Sequence, residues 1–304
     1  MARSTVPVTV ARPPALADVA ELLKPVTWFP PMWAFLCGVV SSGVELETRW
    51  LFVSAGVLLA GPLVCGTSQA VNDWYDRDVD AINEPARPIP SGRIPGRWGF
   101  GIAVAGTAAA LVVAAALGVW VFAASVLGLA LAWAYSAPPW RLKRSGWWGP
   151  AAVAFAYEGL TWFTGAAVML GSLPGTHILA LLLLYSAGAH GIMTLNDFKA
   201  VEGDRAMGLR SLPVVLGIGL AARVAAVAMI VPQLAVVLLL ALWGHALHAV
   251  IVAGLVAAQL LLLRRLLGDP RRHAPWYNAT GVTLYVIGML VSALAVGSVA
   301  GGAS

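Results

Sequence analysis

Residues 72–92, Asn72 to Gly92, read NDWYDRDVDAINEPARPIPSG, and this stretch decides what kind of fold the chain adopts. It gathers Asp73, Asp76, Asp78, Asp80 and Glu84, five of only 14 acidic residues, in a sequence that is otherwise mostly apolar. Asn72, Asp76 and Asp80 recur at every fourth position. On an α-helix that spacing drifts by only about 40° per step, so the three side chains share one face. Pro85 stops the helix, and Arg87 and Arg93 follow in a proline-rich loop. Clustered carboxylates want hard cations, and oxygen ligands of this kind suit Mg2+. Arginines beside them suit phosphate. A diphosphate carried by Mg2+ satisfies both.

A second copy follows 124 residues on, where Asn196 to Pro213 reads NDFKAVEGDRAMGLRSLP. Asn196-Asp197 matches Asn72-Asp73, and Arg210 and Pro213 match Arg87 and Pro90 one residue out of register. Asp197 and Asp204 are seven apart, about 20° from eclipsed, so they share a face if the segment is helical. The bland reading of either motif alone is a solvated charged loop. Two copies at matching ends of apolar spans argue against that.

Hydrophobic residues make up 60% of the chain and charged residues 11%, with a mean hydropathy of +0.82. Such a composition excludes an ordinary soluble core and predicts an all-α, polytopic membrane bundle. The sequence pI near 9.6 does not call for nucleic acid, because loop orientation and phosphate binding account for the positive charge. Apolar spans fall at about 28–44, 51–71, 98–117, 119–137, 149–170, 176–196, 217–243, 245–263 and 276–298, nine in all. The uncharged run from Trp98 to Trp140 is too long for one span and splits into two near Gly118. Eight tryptophans near predicted span ends, Trp28 and Trp276 among them, read as an aromatic belt. The chain is expected to be one domain, 1–304, with 1–27 as a cytoplasmic N-terminal segment. Residues 1–24 lack an apolar run, so no cleavable signal peptide is expected. ALADVAELL, Ala15 to Leu23, reads as a short interfacial helix ended by Lys24-Pro25. Cys37 and Cys65 lie in spans without metal-ligand spacing and read as structural thiols.

Seventeen of the 19 Lys and Arg residues lie in the N-terminal segment, from Arg3 to Lys24, or in the loops after even-numbered spans. Only Arg49 and Arg223 do not. Such asymmetry places the N-terminus and both acidic motifs on the cytoplasmic side. The loop YSAPPWRLKRSG, Tyr135 to Gly146, is the third polar feature there. Tyr135 and Lys143 could reach a diphosphate on that face, although a proline turn with ordinary inside-positive charge fits the same residues. Within the spans, Glu158, His190 and Arg223 are ionisable groups in lipid and hence candidates for function or for internal pairing.

Taken together, NDWYDRDVDAINEPARPIPSGRI, YSAPPWRLK, NDFKAVEGDRAMGLRSLPV and LLKPVTWFPPMWAF resemble the UbiA superfamily of intramembrane prenyltransferases. The resemblance covers nearly the whole chain from about residue 20 and is nearer to the chlorophyll and bacteriochlorophyll synthase branch. WFPPMWAFLCGVVSSG and the lack of a plastid transit segment look more like bacterial members. It implies nine helices around a central cavity, with two Mg2+ ions and a prenyl diphosphate at the cytoplasmic mouth. The superfamily's first motif falls on Asn72, Asp76 and Asp80, and its second on Asp197 and Asp204. Ala200 stands where the second motif commonly carries a middle Asp, so Asn196, Glu202 or water must fill in, or the second metal is bound more weakly.

From this resemblance follows a transferase in a bacterial inner or photosynthetic membrane. It would move a geranylgeranyl or phytyl group from its diphosphate to the propionate carboxylate of a (bacterio)chlorophyllide. Asp76, Asp80 and Asp204 would be the catalytic metal-holding carboxylates. Lys24, Arg87, Tyr135, Lys143, Lys199 and Arg210 would contact substrate. Rival readings are another prenyl acceptor, a quinone precursor or haem, and a cation-coupled transporter. Transporter ion sites sit near the membrane midplane, whereas these carboxylates cluster at one membrane face.

Overall fold

Lipid offers no partner for backbone N–H and C=O groups, so an apolar chain of this kind must satisfy them within helices. The computed structural model describes residues 12–300, and these are helical apart from turns and one isolated parallel bridge, Ser145 to Arg210. Arg3 and the remainder of 1–11 lie outside the described residues, as do 301–304.

The chain opens with α1 (Leu16–Leu23), the short amphipathic helix expected there, ended by Lys24 in a left-handed conformation at φ 48°. Next come α2 (Phe29–Ser41) and α3 (Trp50–Asn83), then α4 (Trp98–Leu117) and α5 (Val119–Ser136), which turn at Gly118 as expected. α6 (Trp148–Leu170) and α7 (Thr176–Asp197) follow. Two short helices, α8 (Val201–Ala206) and α9 (Leu212–Leu216), precede α10 (Ile218–Leu242), α11 (Ala246–Gly268) and α12 (Pro270–Ala300).

Around the bundle α2, α3, α4, α5, α6, α7, α10, α11 and α12 pack in chain order, and α12 returns to α2. Eight of these are long and apolar enough to cross a membrane. The ninth expected span, 28–44, forms only the 13-residue α2. At about 20 Å it falls short of the roughly 30 Å hydrocarbon core, because Pro30 and Pro31 sit in its first turn and Gly43 follows its end.

Helix α3 is the element that builds the site. Nothing in 71–83 breaks a helix, so span and acidic motif run together for 34 residues. At about 50 Å this helix exceeds the bilayer core, and its acidic end projects beyond it. A π turn at Leu59–Cys65 contains Pro62, whose missing N–H a widened turn accommodates. A second π turn, Phe155–Leu160, lies in α6.

Lipid is as apolar as leucine, so helix association rests on close packing and interhelical hydrogen bonds. A Cβ on Gly38 would collide with the Trp162 carbonyl oxygen, and one on Gly165 with that of Phe35, so α2 and α6 touch through their backbones. Trp162 Nε1 donates to Ser41 Oγ across the same contact at 3.0 Å. Gly165→Val is therefore expected to push α2 off α6 and cost about 1–3 kcal/mol. Thermal melting in detergent measures it, and an unchanged Tm would show that the two backbones do not meet there. Elsewhere Gln233 and Gln259, both fully buried, exchange amide hydrogen bonds at 3.0 and 2.9 Å and fix α10 on α11.

Candidate active site

Three polar loops converge at one end of the bundle on a cavity of about 600 Å³. Asn72, Asp76 and Asp80 all line it from α3, the shared face expected from their spacing. Asp197 and Asp204 line the facing wall, Tyr135 comes from the last turn of α5, and Lys143 comes from the loop between α5 and α6. The second motif is not one helix as its spacing allowed. α7 ends at Asp197, a turn follows, and Asp204 is carried by α8. The turn still returns Asp204 to the cavity, where Ser211 Oγ donates to its Oδ2 at 2.6 Å.

The third loop is clamped to the second motif. Gly146 N donates to Arg210 O at 2.8 Å, and Arg210 N donates to Arg144 O at 3.0 Å. A Cβ on Gly146 would fall 2.8 Å from that Arg210 oxygen, so only glycine permits the approach. Through this clamp Lys143 Nζ reaches Asp76 Oδ1 at 2.5 Å. Burial pulls the Lys143 ammonium below its ordinary pKa, and the neighbouring Asp76 carboxylate opposes that shift. Arg87 donates to Asp80 at 2.8 Å and to Glu84 at 2.7 Å. Burial alone would lower its pKa, but Glu84, Asp73 and Asp80 outweigh that and raise it.

Of the remaining expected substrate contacts, Lys24, Lys199 and Arg210 are absent from the cavity lining. Lys24 Nζ is bound to Asp73 Oδ1 at 2.6 Å. Arg210 serves through its main chain, and the side chains of Lys199 and Arg210 are exposed. Glu202, one candidate for the missing carboxylate at Ala200, pairs with Arg271 at 2.6 Å on the exterior. Asn196, the other candidate, does line the cavity. Neither Glu158 nor His190 lines it; His190 Nε2 lies 3.1 Å from the Trp147 carbonyl oxygen.

Sequence reasoning placed Asp73 in the acidic cluster but did not foresee its partner: it is 1% exposed and ties the end of α1 to the motif through Lys24. Sequence reasoning missed Ser68, Gln69, Arg141, Tyr157 and Ser211 on the cavity wall. Ser68 and Gln69 were legible, lying one helical turn before Asn72. Tyr157 was not, because it sits in a π turn that shifts the helix face.

The donor set fits Mg2+. Every candidate ligand is an oxygen, and Asp76 and Asp80 already hold cationic groups against them. Asn72 Nδ2 is occupied by Ser136 Oγ at 3.2 Å, which leaves its carbonyl oxygen as the free end. Among the described residues no three His, Cys, Asp or Glu side chains converge tightly enough to hold an ion by themselves. Mg2+ characteristically takes one or two carboxylates and completes its shell with substrate phosphate and water, which matches carboxylates spread over two walls.

Residues 27–287 match the model of the UbiA prenyltransferase family. The chain is 58% identical to the "Bacteriochlorophyll synthase 33 kDa chain" of Cereibacter sphaeroides, over 95% of each chain. It is 40% identical to the "Chlorophyll synthase, chloroplastic" of Oryza sativa subsp. japonica, over 90% of this chain and 75% of that one. In three dimensions it resembles a UbiA homologue from Archaeoglobus fulgidus bound to DMAPP and Mg2+. The TM-score is 0.69 at 20% identity, covering 94% of this chain and 100% of that one. With its helices of membrane-crossing length, the chain is an integral membrane protein that belongs to the UbiA prenyltransferase family.

Proposed function

We propose that this enzyme is a (bacterio)chlorophyll synthase, which esterifies the propionate carboxylate of a (bacterio)chlorophyllide with a geranylgeranyl or phytyl group from the corresponding diphosphate. The observation that carries the chemistry is one cavity, charged at its mouth by both acidic motifs and apolar in its depth. The 58% identity to a bacteriochlorophyll synthase chain supports the choice of acceptor.

In this reading Asn72, Asp76 and Asp80 would hold Mg2+ from one wall and Asp197 and Asp204 from the other, where it would supply charge neutralisation for the leaving diphosphate. Arg87, Lys143 and Arg141 face the same mouth and supply donors to the phosphate oxygens. Val64, Leu131, Ala132, Val153 and Ala156 line the depth, lodge the isoprenoid and keep water from the allylic carbon. A carboxylate oxygen of the acceptor forms the new bond to C1 of the isoprenoid. The C1–O bond breaks, and diphosphate leaves with the electron pair.

The test is purified protein in detergent with Mg2+, geranylgeranyl or phytyl diphosphate, and a panel of chlorophyllide, bacteriochlorophyllide, a quinone-precursor phenol and haem. Ester formation with a chlorophyllide is expected. Prenylation of the phenol or haem alone would reject the assignment.

Two further outcomes follow from the placement of particular residues. Glu202 faces outward to Arg271 and Asn196 faces the cavity. Glu202→Gln is therefore expected to leave the Mg2+ activation curve of turnover where it is, and Asn196→Ala to move it to higher Mg2+. The reverse pattern would place Glu202 at the metal. The positive charge on the polar loops supports a site on the cytoplasmic side. Cysteines introduced at the exposed positions Ser91 and Arg205 are then expected to escape an impermeant maleimide added outside intact cells. Labelling of either would refute that orientation.

A further inference from the structure

The polar face of α3 continues beyond Asn72 into the bundle. It carries Ser68 and Gln69 and then Cys65 along the cavity wall, where Ala60, Val64, Leu131 and Ala156 are otherwise the neighbours. Facing them is Tyr157, in the π turn of α6. Gln69 Nε2 donates to the Tyr157 hydroxyl oxygen at 3.2 Å, and Cys65 Sγ donates to the same oxygen at 3.2 Å. A phenol oxygen has two lone pairs and one proton. The single Cys65 S–H is also directed at the Thr27 carbonyl, 3.4 Å away, so Gln69 is the donor that fixes this oxygen as an acceptor and leaves the hydroxyl's own proton to be donated.

The acceptor beside it is Ser68 Oγ at 3.4 Å, long against the roughly 2.7–2.8 Å of an ordinary O–H···O bond. Ser68 itself is turned to donate to the Cys65 carbonyl at 2.7 Å. Thr161, also on the wall, donates to the Tyr157 carbonyl. An oriented donor in apolar surroundings, without a full-strength acceptor, is matched by an oxygen from a ligand.

The ligand's identity follows from depth. Gln69 lies seven residues before Asp76, about 10 Å along the helix, well inside the charged mouth. Below its diphosphate the prenyl donor is hydrocarbon and offers no oxygen. An oxygen at this level therefore belongs to the acceptor. We propose that Tyr157, oriented by Gln69 and Cys65, donates a hydrogen bond to the acceptor's carboxylate and thereby helps select acceptors that carry one. One carboxylate oxygen takes this bond, and the other is free to attack. Tyr157 keeps its proton throughout, and Gln69 and Cys65 are positioning residues.

This inference rests on the proposed chlorophyllide esterification, and its test separates the two. Chlorophyllide and geranylgeranyl diphosphate are each varied with the detergent-purified wild type, Tyr157→Phe and Gln69→Leu, and Tm is measured alongside. Tyr157→Phe is expected to raise the chlorophyllide KM about tenfold, with the diphosphate KM within about twofold and Tm nearly unchanged. Gln69→Leu, which leaves the phenol but not its orientation, should raise the same KM by a smaller factor, and it decides the matter if Tyr157→Phe does not fold. An unchanged chlorophyllide KM overturns the assignment, as does an equal rise in both KM values or a lowered Tm alone, which would mark a packing role. If the wild type forms no chlorophyllide ester, the function itself fails and this contact falls with it.

Discussion

Asp76→Asn is expected to lower kcat/KM by about 10³-fold or more, roughly 4 kcal/mol of transition-state stabilisation, in a protein that still inserts and melts close to the parent. The amide keeps the shape of the carboxylate and removes its charge. Asp76 is about a quarter exposed and its recorded partner is Lys143, so losing the charge leaves the helix intact and strips one oxygen ligand from the cavity mouth. Asp80→Asn and Asp204→Asn should show the same phenotype from different surroundings. Asp80 is held by Arg87, which retains Glu84 and Asp73 as partners when Asp80 loses its charge. Asp204 accepts a hydrogen bond from Ser211, which an amide oxygen also accepts. Asp78 is the internal control. It lies in the same acidic run, but its side chain is 87% exposed and it does not line the cavity, so Asp78→Asn should keep full turnover. Near-normal activity of the Asp76, Asp80 or Asp204 variant at saturating Mg2+ would remove that residue from the ligand set.

The same contrast between Asp76 and Asp78 shows how much of the site was legible in the sequence. A four-residue spacing on an unbroken helix fixes direction through the α-helical period alone, and Asn72, Asp76 and Asp80 do face one cavity. Gly118 and Lys24 likewise mark their boundaries by local backbone chemistry, without reference to anything distant. Features set by distant partners were hidden. Lys24 was expected at the substrate, yet it meets Asp73, 49 residues away, when α1 docks against α3. Arg210 resembles Arg87 in the repeat, yet its main chain clamps Gly146 while its side chain turns outward. The π turns at Leu59–Cys65 and Phe155–Leu160 shift the faces of α3 and α6, so a strict helical wheel misplaces Tyr157. α2 has the apolar character of a span but not the length, because prolines set its start and Gly43 follows its end.

A propionate methyl ester of the acceptor is expected to be inert, with no prenyl product above the level seen without enzyme, whereas the free acid turns over. A carboxylic acid with a pKa near about 4–5 is already ionised at neutral pH, so the proposed nucleophile arrives deprotonated and needs no base. The structure accords with that economy. The two ionisable groups within the spans that could take a proton, Glu158 and His190, stand off the cavity. Glu158 is buried with Oε2 unpartnered, and His190 lies beside Trp147, the rings tilted by 31°, with its Nε2 near the Trp147 carbonyl. Turnover should therefore run flat from about pH 6.5 to 8.5, without a histidine-like limb near about 6.5. His190→Ala and Glu158→Gln should change kcat less than they change acceptor affinity. A phenol acceptor would behave differently, since it needs deprotonation or ring activation before attack. The demand that remains is ionisation of the C1–O bond, which the cationic groups at the mouth and the Mg2+ held there address. Efficient prenylation of the methyl ester would sink the carboxylate mechanism, because its nucleophilic oxygen is gone. An acid-side limb that vanishes in one of the two variants would show instead that the mutated residue accepts a proton, and would return it to the reaction from outside the cavity wall.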